Sequence, residues 1–187
     1  MGYAGWVDEL KLLLESGKEL EFVPEPGESL AQAVFLRPEI GARALCSGLG
    51  KCGKCRLRFV KNAPDPVDGE EDVLGSEALA EGWRLGCRHG ADAASGAVIE
   101  IPESSAVRKV HGRQAKMSLQ DELPVGLAVD LGTTSICYRL VQGDVVVLEG
   151  KGLNPQLGAG AEVMSRLAYS RTLQRKNRLK LLVLDFL

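Results

Sequence analysis

Leu10 to Glu15 and Lys18 to Val23 read as two strand-like runs separated by Ser16-Gly17, a two-residue connection suited to a hairpin turn. Trp6, Val7, Leu10, Leu13 and Leu14 also share one helical face, which makes a helix the rival reading of this stretch. Pro24 to Gly27 then breaks the pattern, Ser29 is placed to cap a helix over Leu30 to Leu36, and Pro38 forbids its simple continuation. Charged and apolar residues alternate from Arg56 to Val60, as in a half-buried strand that Pro64 to Pro66 stops. Gly75 divides the helical stretch from Glu70 to Leu79 into two short pieces, and Val98 to Ile101 forms a further strand ended by Pro102.

The apolar pattern fades from Glu103 to Pro124, where Arg108, Lys109, His111, Arg113 and Lys116 gather in a polar connector. No aromatic side chains interleave these charges as stacking platforms for bases, so a nucleic-acid partner is not expected. Beyond it, Val125 to Leu140 and Asp144 to Leu148 are two extended segments around a turn containing Gln142-Gly143. Residues Asn154 to Arg166 read as an amphipathic helix with Val163, Met164 and Leu167 turned inward, and Leu181 to Leu187 as an apolar helix.

Composition changes this picture little. An apolar share of 45% over 187 residues is ordinary for folded domains, and a net charge of -2 gives no general attraction to nucleic acid or anionic membrane. No run approaches the roughly 18 apolar residues of a spanning helix. The first residues lack the basic and apolar segments of a secretory signal, so a cytoplasmic protein is expected.

The cysteines change it more. Cys46, Cys52 and Cys55 stand in one glycine-rich loop with Gly48, Gly50 and Gly53, and Cys87 follows after Trp83 to Gly86. Four thiolates suit a [2Fe-2S] cluster, and backbone N–H groups freed by the glycines suit its sulfurs. A zinc site more often shows two Cys-x-x-Cys pairs or added histidines, and a disulfide framework fits poorly with five cysteines and no secretory signal. Cys137 lies outside the loop pattern and is expected to be a small core residue. Plant-type ferredoxins leave four residues between the first two ligands; the five left here resemble the spacing of adrenodoxin-like and bacterial variants. In Asp130-Leu131-Gly132-Thr133-Thr134, a carboxylate for Mg²⁺-bound water, a glycine for close approach and hydroxyls for phosphate oxygens offer one side of a nucleotide site. The same short pattern also marks ordinary hairpin turns.

The order of strands, helix, cysteine loop and fourth cysteine resembles a β-grasp ferredoxin, and the strand, Asp-x-Gly-Thr-Thr, strand arrangement resembles the first phosphate loop of actin-like and sugar-kinase-like ATPases. Together with Asn154-Pro155-Gln156 and the residues to Leu167, the chain resembles the ATP-dependent reductive activators of corrinoid proteins. The resemblance implies an α+β chain: a β-grasp [2Fe-2S] ferredoxin domain at 1–103, a linker at 104–124, and the first strands and helix of an actin/sugar-kinase-like ATPase domain at 125–187. It implies metal ligands Cys46, Cys52, Cys55 and Cys87, and ATP with Mg²⁺ at Asp130, Gly132, Thr133 and Thr134. The implied partner is a corrinoid iron-sulfur protein or methyltransferase corrinoid protein, reduced from Co(II) to Co(I), with neither nucleic acid nor membrane involved. Members of that family are several times longer, so the resemblance also implies a C-terminally truncated piece that transfers electrons without ATPase activity. A stand-alone electron shuttle and an iron-sulfur sensor with a partner-binding lobe are the alternative functions.

Overall fold

The computed structural model describes residues 9–43, 45–101, 113–114 and 123–187. In the first part, β1 (Leu10–Leu14), β2 (Glu19–Phe22), β3 (Arg56–Lys61), β4 (Trp83–Leu85) and β5 (Val98–Ile101) form one sheet in the order β2-β1-β5-β3-β4. The hairpin reading of the opening stretch holds, with Leu10 opposite Phe22 and Leu13 opposite Glu19. Its rival helix would have left β5 paired on one side only, by β3, whereas β1 runs parallel to it from Lys11 beside Val98 to Leu14 beside Ile101. Trp6 and Val7 lie outside the described residues. The remaining pairings are antiparallel, which gives the mixed sheet of a β-grasp.

Period-two alternation sets the core. Leu57 and Phe59 point inward between exposed Arg56, Arg58 and Val60, and join Leu10, Leu12, Leu85 and Ile99. Helix α1 (Leu30–Phe35) lies on this layer and contributes Leu30, Val34 and Phe35. Each such side chain stabilises the fold by about 1.5–3 kcal/mol. Ser29 and Gln32 form a reciprocal capping box at the start of α1. Helices α2 (Glu71–Leu74) and α3 (Ser76–Ala80) are separated at Gly75, as the sequence implies.

A second, wholly antiparallel sheet has the order β6-β9-β8-β7, from β6 (Arg113–Gln114), β7 (Val125–Leu131), β8 (Ser135–Gln142) and β9 (Val145–Leu153). The stretch expected as one segment from Val125 to Leu140 is thus two strands folded at residues 132–134. The expected connector at 104–124 falls outside the described residues except for β6 and the two residues before β7. Strand β7 is the sheet edge, and all seven of its residues are exposed. After a short 3-10 turn at Pro155–Ala159 come α4 (Val163–Tyr169) and α5 (Leu173–Phe186).

One inward face differs from expectation. Val163, Met164 and Leu167 are 52%, 72% and 58% exposed, and α4 instead buries Arg166 and Tyr169. Polar contacts orient the helix: the Tyr169 hydroxyl donates to buried Glu28 at 2.7 Å, and Arg166 donates to backbone carbonyls. Arg178 of α5 completes this clamp at 2.8 Å from Glu28, beside Arg175 on Glu25 at 3.3 Å. Burial, then the Glu28 carboxylate, pushes the Tyr169 phenol up and keeps it a donor. Leu36, Ala159, Tyr169, Leu179 and Leu182 form a small second core beside the clamp. The 155–159 turn reaches α1 backbone to backbone, where a Cβ on Gly158 would collide with the Phe35 carbonyl. Among the described residues no helix is long and apolar enough to cross a membrane.

Glu70 is wholly buried and accepts hydrogen bonds from the Val67 and Leu85 N–H groups at 2.9 and 2.6 Å, with the His89 ring at 3.0 Å. Glu70→Ala leaves the Leu85 N–H and the His89 ring without this partner in the core, so the expected cost is about 3 kcal/mol or more, read as a lowered urea midpoint at unchanged slope. A midpoint shift smaller than that of an exposed control such as Glu71→Ala would contradict this role.

Candidate iron-sulfur site and phosphate turn

The loop from Cys46 to Cys55 turns through left-handed backbone at Ser47, Gly48, Gly50 and Gly53. Helix α1 fixes the returning segment. Its first free N–H groups, on Leu30 and Ala31, donate to the carbonyls of His89 and Gly86, both at 2.9 Å, and so bracket Cys87. Gly86 in turn donates to the Cys55 carbonyl at 2.9 Å. A Cβ there would meet Leu57 at 2.9 Å and the Ala31 nitrogen at 3.1 Å, so only glycine lets β3, α1 and this segment converge.

The four loop and return thiols fall into two pairs, Cys46 with Cys52 and Cys55 with Cys87. At Cys46 burial pushes the thiol up, but N–H groups of Lys51 and Cys52 and contact with the Cys52 thiol prevail and bring it to about 7. Contact with Cys55 lowers Cys87 to about 7 against burial, aided by the N–H groups of Gly50 and Cys87 and by Arg88. The Cys87 contact and burial push Cys55 up. Each pair therefore holds one thiol ready to ionise near neutral pH, the form that binds metal.

Two pairs suit two irons, since an iron bridged by two sulfides takes two terminal thiolates. A single zinc ion instead draws its ligands to one point about 2.3 Å away. The donor set thus fits a binuclear cluster. Cys52 is exposed and Cys55 buried, so the first pair lies toward the surface, beside Leu49, which is 67% exposed, and Lys51.

Several neighbours were not singled out from the sequence. Buried Arg43 stacks over the Phe35 ring at 4.6 Å and acts electrostatically on Cys55, while Arg88 acts on Cys87. Their signal was proximity in sequence, since Arg43 precedes Cys46 by three positions and Arg88 follows Cys87 directly. Ser47 adopts φ 54 and accepts a hydrogen bond from the Ala161 N–H at 3.1 Å, a contact across the chain that no local pattern announces.

Asp130 is the penultimate residue of β7, and Gly132, Thr133 and Thr134 form the turn into β8. Their carbonyls are tied down from one side. The Asn154 side chain donates to Gly132 and its N–H to Thr134, both at 2.8 Å, and Arg166 donates to Thr133. The Thr133 and Thr134 side chains stand exposed on this fixed turn. Gly132 answers to the hairpin itself, because a Cβ would lie 2.7 Å from the Ser135 carbonyl oxygen. Asp130 pairs in register with Cys137, which pairs with Lys151. These three, with Arg139 and Glu149, border an open hollow of about 610 Å³ on the second sheet. Cys137 is half-buried there, in the sheet that does not carry the other four cysteines.

Residues 13–91 match the family model of the 2Fe-2S iron-sulfur cluster binding domain, and residues 125–187 match that of the RACo middle region. One component of the Na(+)-translocating NADH-quinone reductase of Chlamydia pneumoniae is 33% identical over 82 residues, 44% of this chain, and its counterpart in Chlamydia trachomatis serovar D is 28% identical over the same length. The match spans 19% of either relative. Among solved structures, a reduced putidaredoxin variant of Pseudomonas putida aligns at 20% identity with a TM-score of 0.42, covering 51% of this chain and 97% of its own. A ferredoxin of Rhodopseudomonas palustris aligns at 23% identity with a TM-score of 0.41, over 51% and 96%. Residues 13–91 thus form a ferredoxin-type [2Fe-2S] cluster-binding domain, and residues 125–187 are similar to the RACo middle region.

Proposed function

We propose that this chain delivers single electrons from a cluster held by Cys46, Cys52, Cys55 and Cys87 to the Co(II) corrinoid of a methyl-transfer protein, returning it to Co(I). ATP and Mg²⁺ engage Asp130, Gly132, Thr133 and Thr134. In this reading 1–103 is the ferredoxin domain, 104–124 the linker and 125–187 part of an actin-like ATPase domain, at work in the cytoplasm. The carrying observation is that the loop and the return segment group four thiols into two pairs in a chain that also matches the RACo middle region.

When bound, a [2Fe-2S] cluster supplies a one-electron couple, in plant-type ferredoxins near roughly -400 mV. The chain's own residues do the rest. N–H groups of Gly50, Lys51 and Cys52 stabilise charge on the sulfurs, Arg43 and Arg88 add positive potential, and both effects ease reduction. The outer pair near Leu49 and Lys51 is where a partner docks closely enough to take the electron. Transfer to a cobalt couple lying lower is uphill, by about a factor of ten for each roughly 60 mV. Asp130 and the threonine hydroxyls, set on a turn anchored by Asn154 and Arg166, provide the place where nucleotide binding is linked to that step.

Cys87→Ser is expected to lose the visible cluster absorption and the acid-labile sulfide, and to lower the urea midpoint of the first sheet, since metal ligation contributes folding energy. Retention of two irons and two sulfides per chain would remove Cys87 from the ligand set. In the gene product assayed with its Co(II) corrinoid protein, Asp130→Ala is expected to lower ATP-dependent Co(I) formation by about 100-fold or more, with the cluster spectrum unchanged. Equal rates in the variant, or Co(I) formation that ignores ATP, would point to a plain electron shuttle.

A further inference from the structure

The guanidinium of Arg166 is buried and faces only neutral acceptors: the Thr133 carbonyl, the Gly160 carbonyl at 3.0 Å and the Gln156 side-chain oxygen at 3.3 Å. Among the described residues no carboxylate pairs with it, and burial alone lowers its pKa. It is a cation without a counter-ion, placed directly behind the 132–134 turn. Such a charge favours an anion on the turn's open side, and it moves when the Thr133 carbonyl moves.

On its other side Arg166 holds the Gly160 carbonyl, and the next residue, Ala161, donates its N–H to Ser47 at 3.1 Å. Only glycine fits at 160, because the residue adopts φ 144 and a Cβ there would overlap the Ser165 side chain. Ser47 is one of two non-glycine residues with positive φ in the described chain, the other being Asn62. Left-handed backbone is unfavourable for a residue such as serine and persists when its surroundings hold it. The hydrogen bond from Ala161 is such a restraint, and Ser47 directly follows Cys46. A cavity of about 340 Å³ separates the cluster loop at Ser47, Gly48 and Cys87 from Gly158 to Gly160, leaving the loop room to move when the restraint is released.

We propose that Arg166 and Ser47 form a relay between the Gly132–Thr134 turn and the cluster loop, so that the setting of the turn alters how readily the cluster is reduced. The relay rests on the assignment of the cluster to the four cysteines. An anion at the turn draws Thr133 and Arg166 together and shifts Gly160 and Ala161. Ser47 then either keeps its left-handed setting or relaxes, which re-aims the Cys46 thiol relative to Cys52. Arg166 and Ser47 are positioning residues; neither is a ligand.

The test is a double-mutant cycle on the cluster-loaded chain without nucleotide: Ser47→Ala, Arg166→Gln, and both together. The readout is the ratio of reduced to oxidised cluster at one fixed applied potential, with cluster content set by the visible spectrum. Each single variant is expected to change the ratio by about two- to tenfold, the worth of one net hydrogen bond, and the double variant by no more than either alone. Arg166→Lys, which keeps a charge but not the forked contact, serves if Arg166→Gln does not load, with the same non-additivity expected. Ser47→Asn retains an acceptor and tolerates left-handed backbone, and is expected to restore the wild-type ratio. An unchanged ratio in the Arg166 variants, or effects that multiply in the double variant, would overturn the relay. Because the cycle contains no nucleotide, it stands or falls separately from the Asp130 assay. Additive effects with intact ATP dependence sink the relay alone, and a coupled cycle with no ATP dependence sinks the nucleotide reading alone.

Discussion

A six-residue helix with no free face governs the arrangement. Helix α1 lies on the first sheet, is met from behind by the backbone of the 155–159 turn, and spends its opening N–H groups on the segment that carries Cys87. Close packing of this kind admits small displacements poorly, since neighbouring atoms already touch. The position of one cluster ligand and the seat of the C-terminal helices are therefore set by the same short element. Ser29 and Gln32, which cap it, sit at the edge of the cavity beside Cys87.

Charge is handled in two ways at the contact between the halves. Glu28, sealed from solvent, is met by a phenol and a guanidinium, so its negative charge is answered in place. Arg166, three residues before Tyr169 on α4, receives only carbonyl dipoles. The first arrangement fixes two helices to the ferredoxin layer. The second stores positive potential under an exposed turn.

The first hundred residues were largely legible because their elements obey local rules. Alternation gave β3, and the Ser29 cap and Gly75 break delimited the helices. Cysteine spacing identified the loop, but the division of the thiols into two pairs depends on where α1 and Gly86 bring the return segment. The second half was less legible. By apolar pattern alone the run from Val125 to Leu140 reads as one extended segment, and only the Asp-x-Gly-Thr-Thr motif marks the turn at 132–134. On α4 the apolar residues misdirected the reading, since Tyr169 and Arg166 outcompete them through hydrogen bonds to groups more than thirty positions away in sequence. Long-range polar pairing leaves no periodicity to read.

The parallel pairing of β1 with β5 joins nearly the first and the last described residues of the ferredoxin layer. During synthesis the hairpin, the capped helix and three of the four thiols emerge well before either Cys87 or β5. Closing so long a loop is entropically slow, and the central strand pair waits for it. For that interval the nascent chain presents an open sheet edge and an unfinished set of soft, oxidisable sulfurs. Metal supplied at that stage meets an incomplete set of thiols, so the timing of cluster delivery is dictated by chain topology as much as by the affinity of the finished loop.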